Sequence, residues 1–440
     1  MTIDIKRIYC AVITIVLLLV LSGCNDSQEF EAGDTNRGVT LTYWPAPNPQ
    51  EIELADSLVR YWNDRNPHIQ VRMQPIPVGQ STEEVLLAAI AAGTTPDVCS
   101  NIWPGGLHDY IDAGGLIPLD RFDDFFTVLD ERMPRDILDA FRSAEGHYYQ
   151  VPWKTNPVMM LYNKDILRIA GYTDPPATYS EYIEIGKAIR DIDRSGSRHG
   201  LWMGQRDIRP IWWQRLFDFY PFYIAASGGR TLFQDGEIDI VNEYAEKVLD
   251  FFQQVYKEQL FPRTFTHGRD LFLQGNVATN FAGSWQIATI RRYAPDFALG
   301  IAPIPVPDGY EGPVYTYGDY KNISIFSTTR YPEEAWEFVK FLIEARHDLL
   351  LLEITDQIPV RDDLLRNELF AEYFERNPEI IHFAEQAPYT RGVDEIFDLQ
   401  EIFDAISQEY EASAIYNRKE PLQALRDAER RIQLIKAWNR

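Results

Sequence analysis

"VTLTYWPAPNPQEIELADSLVRYWNDRNPHIQVRMQ", Val39 to Gln74, decides the fold. Its first six residues, Val39 to Trp44, are rich in β-branched and aromatic side chains, the composition of a strand. Next, Ile52, Ala55, Leu58, Val59 and Trp62 recur on one helical face, and Asn66-Pro67 ends that pattern. His68 to Gln74 then alternates apolar and polar residues, as a half-buried strand does. A second helix runs from Ser81 to Gly93, with Ser81 and Glu84 spaced as a capping box and Gly93 as its stop. "PDVCSNIW", Pro96 to Trp103, is a third strand. Strand and helix in strict alternation predict a parallel sheet with helices on its faces.

The same grammar continues down the chain. "LYNKDILRIAG", Leu161 to Gly171, reads as helical. Thr178 with Glu181 repeats the capping-box spacing, and Asn242 is placed as an N-cap. "TLFQDGEIDI" reads as a hairpin around Asp235-Gly236. Pro332 sits at a first helical turn, and from Asp362 onward the pattern is mostly helical. No repeat and no Gly/Ser linker divides the body.

A chain of 440 residues fits two domains. Hydrophobic residues make up 45% and charged residues 25%, a globular balance. The net charge of -24 argues against nucleic acid and anionic lipid headgroups as partners. Aromatics reach 13%, with ten tryptophans, more than a core alone needs.

The N-terminus carries an address. Lys6 and Arg7 precede the apolar run Ile8 to Val20, and then comes "LSGC", Leu21 to Cys24. The run is short for a membrane span and fits the core of a signal peptide. "LSGC" resembles the lipobox of bacterial lipoproteins, which implies cleavage after residue 23 and lipid attachment to Cys24. Residues 24–38 are polar, acidic and aperiodic, as in a disordered tether. Cys99 is the one cysteine of the body, so no intramolecular disulfide is expected there.

Motifs of catalysis and metal binding are absent from the sequence: no HExxH, CxxC, GxSxG, P-loop or GxGxxG. Asp191 to Gly196 resembles the first half of a calcium loop, but Trp202 stands where the bidentate Glu belongs. No cofactor and no metal are expected. The aromatics are more telling. Trp44 and Trp103 end strands, Trp153 and Asn156 share "VPWKTNP", Trp212 and Trp213 lie in "RPIWWQ", and Tyr220 in "FYPFY". Trp285 follows Gly283-Ser284, and Tyr320 follows Asp319. In open α/β sheets, ligands bind beyond the strand carboxyl ends. Flat rings suit the apolar faces of sugars, and Asn, Asp and Arg suit their hydroxyls.

Several stretches resemble one family, the family 1 extracellular solute-binding proteins of ABC importers, which include the maltose-binding proteins. They are "YIDAGGLIPLD", "YYQVPWKTNPVMMLYNKDIL", "PPATYSEYIEIGKAI", "FLQGNVATNFAGSW", "LGIAPIPVPDG", "EEAWEFVKFL" and "IPVRDDLL", spread from Tyr110 to Leu365. The second, Tyr148 to Leu167, is the most specific. The resemblance implies an α/β, two-lobed periplasmic-binding-protein type II fold with a hinge and an interlobe ligand cleft. One lobe would hold 39–153 and 300–345, the other 157–299 and 346–440. It implies a non-catalytic, extracytoplasmic, monomeric sugar receptor, anchored to the membrane through its lipid and serving ABC permease subunits. Expected ligand contacts are Trp44, Asn48, Trp103, Trp153, Asn156, Trp213, Tyr220, Trp285, Asp319, Tyr320 and Arg361. Two features depart from the family pattern: the single Gly318 before Asp319, and the Trp212-Trp213 pair. Two alternatives stay open: a glycoside-acting enzyme with a carboxylate pair, and the same receptor for a peptide or polyamine.

Overall fold

The opening alternation folds as expected: β1 (Val39–Trp44), helix Pro49–Arg65, β2 (Ile69–Met73), helix Thr82–Ala92 and β3 (Val98–Ile102). β1 pairs in parallel with both β2 and β3, so the helices are crossovers between parallel strands. The computed structural model describes residues 38–438 apart from 80, 197–199, 235, 264–269 and 395. The expected signal peptide, Cys24 and residues 24–37 of the expected tether lie outside the described residues.

Further strands are β4 (Val151–Thr155), β5 (Met159–Asn163), β6 (Trp202–Gly204), β7 (Phe233–Gln234), β8 (Glu237–Ile238), β9 (Val277–Ala282) and β10 (Leu299–Ala302). They are followed by β11 (Thr316–Tyr317), β12 (Lys321–Ile325), β13 (Ile358–Pro359) and β14 (Thr390–Arg391). A six-stranded sheet runs β13-β4-β12-β3-β1-β2, and a four-stranded sheet runs β10-β5-β9-β6. β7 and β8 make the expected hairpin, whose turn residue Asp235 lies outside the described residues.

Each sheet has its own helical cover and its own core. Trp62 packs edge to face with Phe338 and Phe341 over the first sheet, and over the second Phe222 stacks on Phe251 and meets Phe281 edge to face. The chain passes between the sheets where β4 leads into β5 and where β10 leads toward β12. A bridge between Pro157 and Gly318 lays these passages side by side. The Asp319 N–H donates to the Asn156 carbonyl at 3.2 Å, and the Asn156 side-chain amide donates to the Asp319 carbonyl at 3.2 Å.

Three expectations change. Leu161 to Asn163 is strand, not helix. These residues pair with β9 and β10, and the Asn163 side chain caps the helix Lys164–Ile169 by accepting from Asp165 and Ile166. Residues 300–302, expected in the first lobe, pair with β5 in the four-stranded sheet. Ile358–Pro359, expected in the second lobe, pairs with β4 in the six-stranded sheet. Strand pairing, invisible in a single segment, decides both. The Thr178–Glu181 capping box forms in full, and Asn242 caps its helix.

Asp394 ties the start of the hairpin: its carboxylate accepts from the Leu232 N–H at 3.1 Å. Burial pushes its carboxyl up to about 6. The folded protein therefore keeps a proton that the unfolded chain has already lost. This contribution is full at low pH and is lost as pH rises through about 6. The melting temperature of wild type relative to Asp394→Asn is expected to fall as pH rises from about 4 to about 7. A difference that does not vary with pH contradicts the assignment.

Candidate ligand-binding site

The site is assembled where the passages between sheets meet the ends of β1, β4 and β9. After β1 the chain turns through Pro45 to Asn48. Asn48 is the N-cap of the helix Pro49–Arg65 and accepts from the Glu51 N–H at 3.0 Å. This fixes Glu51 in the first turn, where it is buried. Its carboxylate receives the Lys154 ammonium from β4 and the Gln357 amide. Burial lowers the pKa of Lys154, Glu51 opposes that shift, and the nearby Lys321 adds to it. Gln357 in turn accepts from the Asn156 amide at 3.1 Å.

From the other side, β9 ends at Ala282 and the chain runs Gly283-Ser284-Trp285. A Cβ on Gly283 would stand 2.0 Å from the indole Cζ3 of Trp285, so only glycine lets the ring fold back here. Ser284 is fully buried and its hydroxyl donates to the Asn156 side-chain oxygen at 3.3 Å. Trp285 begins the helix Trp285–Tyr293 and is only partly buried. Phe217 meets its ring edge-on at 5.8 Å. The indole is thus seated on one side and open on another.

Between these parts lies a cavity of about 260 Å³. It is lined by Ala46, Asn48, Gln50, Glu51, Asn101, Asn156, Trp285, Thr289, Asp319, Lys321, Thr355 and Gln357. Lys321 donates to Asp319 at 2.9 Å, as does the Tyr317 hydroxyl at 3.1 Å. Each lining carboxylate is therefore engaged by a lysine, Glu51 by Lys154 and Asp319 by Lys321. What remains is one aromatic ring surrounded by amides and hydroxyls. Amide side chains offer both donors and acceptors, matching hydroxyl groups that do the same.

Of the residues expected at the site, the structure brings Asn48, Asn156, Trp285 and Asp319 to this cavity. The others it places elsewhere. Trp44 packs with Ile76, Leu86 and Leu107 in a core cluster. Trp153 is 1% exposed, with the Lys154 ammonium over its ring at 4.3 Å. Tyr220 is fully buried, and its hydroxyl donates to the Gly392 carbonyl at 2.7 Å. Tyr320 follows a tight turn in which its N–H donates to the Gly318 carbonyl at 2.9 Å, and it lines a separate cavity with Phe141 and Arg391. Trp103 is covered by Trp212, and Trp213 projects from the surface. Arg361 is held by Asp348 at 3.2 Å and Asp363 at 2.9 Å, a structural clamp.

Sequence reasoning missed Glu51, Lys321 and Gln357. Glu51 interrupts the apolar face of an amphipathic helix, a signal that could have marked it. Lys321 and Gln357 carry no local signal. Among the described residues, no group of three or more His, Cys, Asp or Glu could hold a metal ion. Of the stretch considered for calcium, Asp191 pairs with Arg190, and Asp193 accepts from the Gly200 N–H at 2.6 Å. Residues 197–199 of that loop lie outside the described residues. No helix among the described residues is long and apolar enough to cross a membrane.

Comparison with known proteins agrees with this architecture. The family model for bacterial extracellular solute-binding proteins matches residues 46–347. A maltotriose-binding protein of Pyrococcus abyssi is 27% identical over 72% of this chain. The match spans 64% of that relative, just under two thirds of its length. The crystal structure of an uncharacterized Listeria monocytogenes protein superposes with a TM-score of 0.75 at 27% identity, covering 90% of this chain and 99% of that one. Maltose-bound MalE3 of T. maritima superposes at 0.73 with 22% identity, covering 90% and 100%. These neighbours have the two-lobed binding-protein fold, and so does this chain.

Proposed function

This chain belongs to the bacterial extracellular solute-binding protein family, whose members are receptors and not enzymes, and on that premise we propose that it is a carbohydrate receptor. It binds a mono- or oligosaccharide in the cavity beside Trp285 and delivers it to the permease subunits of an ABC importer. The observation that carries the reading is the charge balance of the cavity. Glu51 and Asp319 are each paired with a lysine, so a ligand meets an aromatic face and neutral hydrogen-bonding groups. Such a site favours a neutral polyol. A polyamine or peptide would need a free carboxylate, and an anion a free cation. The name of the Pyrococcus abyssi relative, a maltotriose-binding protein, supports the same class of ligand.

The lobes divide at the passages between sheets. We place 39–155, 321–344 and the strand at 358–359 with the first sheet, and 159–302 with the second. Ligand affinity stabilises the closed arrangement over the open one. The protein acts outside the cytoplasm as a monomer, held to the membrane by lipid on Cys24, and uses no cofactor.

A thermal-shift screen followed by calorimetry tests the proposal, with saccharides of increasing length set against polyamines, short peptides and anions. Saccharides are expected to raise the melting temperature and the others to leave it unchanged. Binding of a polyamine or peptide and of no saccharide rejects the reading. Trp285→Ala is expected to keep the fold and to weaken saccharide binding by at least about 1 kcal/mol, the scale of one aromatic contact. A fall in melting temperature with unchanged affinity would return Trp285 to the core.

A further inference from the structure

The Trp212-Trp213 pair has no part in the site described above. Trp213 is 37% exposed, while Trp212 turns inward from the short 3-10 turn Trp212–Leu216. It meets Trp103 at the end of β3 with ring centroids 5.3 Å apart and planes tilted by 39°. Trp103 also packs closely against the backbone of Gly105, where an added Cβ would stand 2.2 Å from the ring. Trp103 is 2% exposed, and one of the groups that cover this strand-end indole is the Trp212 side chain.

Trp103 does not depend on Trp212 for its position. Its Nε1–H donates to the Tyr317 hydroxyl at 2.9 Å, and that hydroxyl donates to Asp319 at 3.1 Å. Asp319 lines the cavity beside Trp285. Phe217 joins the two ends, edge-on to Trp285 at 5.8 Å and to Tyr317 at 6.2 Å. A row of rings thus runs from the cavity to Trp212. The remaining surface of Trp212 lines a second cavity of about 440 Å³ with Gln400, Glu401, Asp404 and Gln408. The tilt of the pair departs from the offset-parallel and edge-on arrangements that aromatic pairs prefer.

We propose that Trp212 is a length gate: it occupies the face of Trp103 that a further sugar ring would cover, and so restricts the ligand to the cavity beside Trp285. The inference rests on the carbohydrate reading above. Trp212 sets ligand length by standing in for a sugar, and removing it exposes a platform that is already oriented.

The test uses wild type, Trp212→Ala, Trp212→Leu and the surface control Trp213→Ala. Each is titrated by calorimetry with maltose, maltotriose, maltotetraose and maltopentaose, and each ligand-free protein is quenched with acrylamide. In Trp212→Ala, the ratio of affinity for maltotetraose over maltose is expected to rise at least about tenfold, the scale of one aromatic contact. Trp213→Ala is expected to keep the wild-type ratio. An unchanged ratio in a Trp212 variant that binds overturns the gate. If Trp212→Ala fails to fold, Trp212→Leu is read by the same criterion. If no protein in the set binds any of the four sugars, the carbohydrate reading fails for this class and the gate falls with it; quenching checks separately that Trp212 covers Trp103. Greater quenching in the Trp212 variants at a retained melting temperature supports an uncovered Trp103, and quenching that is unchanged or lower overturns it.

Discussion

Asp348→Ala is expected to lower the free energy of unfolding by about 3 to 5 kcal/mol, the cost of leaving one member of a buried ion pair alone. Asp348 is fully buried, and the side chain of Arg132 is 3% exposed. The Arg132 guanidinium grips both carboxylate oxygens. It also donates to the carbonyls of Ile343 and Trp153, each at 2.9 Å. One arginine thus fastens the start of the helix Ala345–Thr355 to β4, and Arg361 closes the cluster from outside. Removing the carboxylate strands the buried Arg132 cation, leaves Arg361 with Asp363 alone, and loosens three segments at once. Urea unfolding measures the effect, and a loss below about 1 kcal/mol contradicts the account. Ligand affinity of the folded protein is expected to stay near wild type, because Arg361 serves this clamp and not the cavity.

Glu51→Ala is expected to damage both stability and binding. It leaves the Lys154 ammonium buried without a counter-charge and the Gln357 amide without its acceptor. The stability loss is again about 3 kcal/mol or more. Affinity for saccharide is expected to fall at least about a hundredfold, since Gln357 and Asn156 are positioned through Glu51 and an unpaired cation enters the cavity wall. The double variant Glu51→Leu with Lys154→Met separates the two effects. Replacing both partners by apolar groups of similar size is expected to restore most of the stability. It is not expected to restore affinity, because the hydrogen-bonded frame of the cavity is still missing. Equal recovery of both would mean that Glu51 acts on the fold alone.

Much of the fold was legible because it is written in short-range pattern. The alternation from Val39 to Trp103, the Thr178 capping box and the Asn242 cap all depend on residues close in sequence, and the structure has them. The errors fall where long-range pairing decides. Leu161 to Asn163 look helical beside Lys164 to Ile169, but β9 and β10 claim them as strand. The site divides the same way. Gly283-Ser284-Trp285 could be picked out by its small residues. In the fold Gly283 leaves room for the ring, Ser284 ties the turn to Asn156, and Trp285 supplies the ring itself. Trp153 and Tyr220 look alike in sequence, but they are buried by neighbours that no local pattern reveals. The Glu51–Lys154 pair could not be read, because its two members lie 103 positions apart in the chain.

The central claim is that the cavity between Trp285 and the Asn48–Glu51 turn holds a saccharide. A crystal structure of the protein soaked with the tightest-binding sugar from the screen tests it most directly. The expected result is a sugar ring lying on the open face of Trp285, with its hydroxyls bonded to Asn48, Asn156 or Gln357. A sugar bound elsewhere, with this cavity left to water, would contradict it.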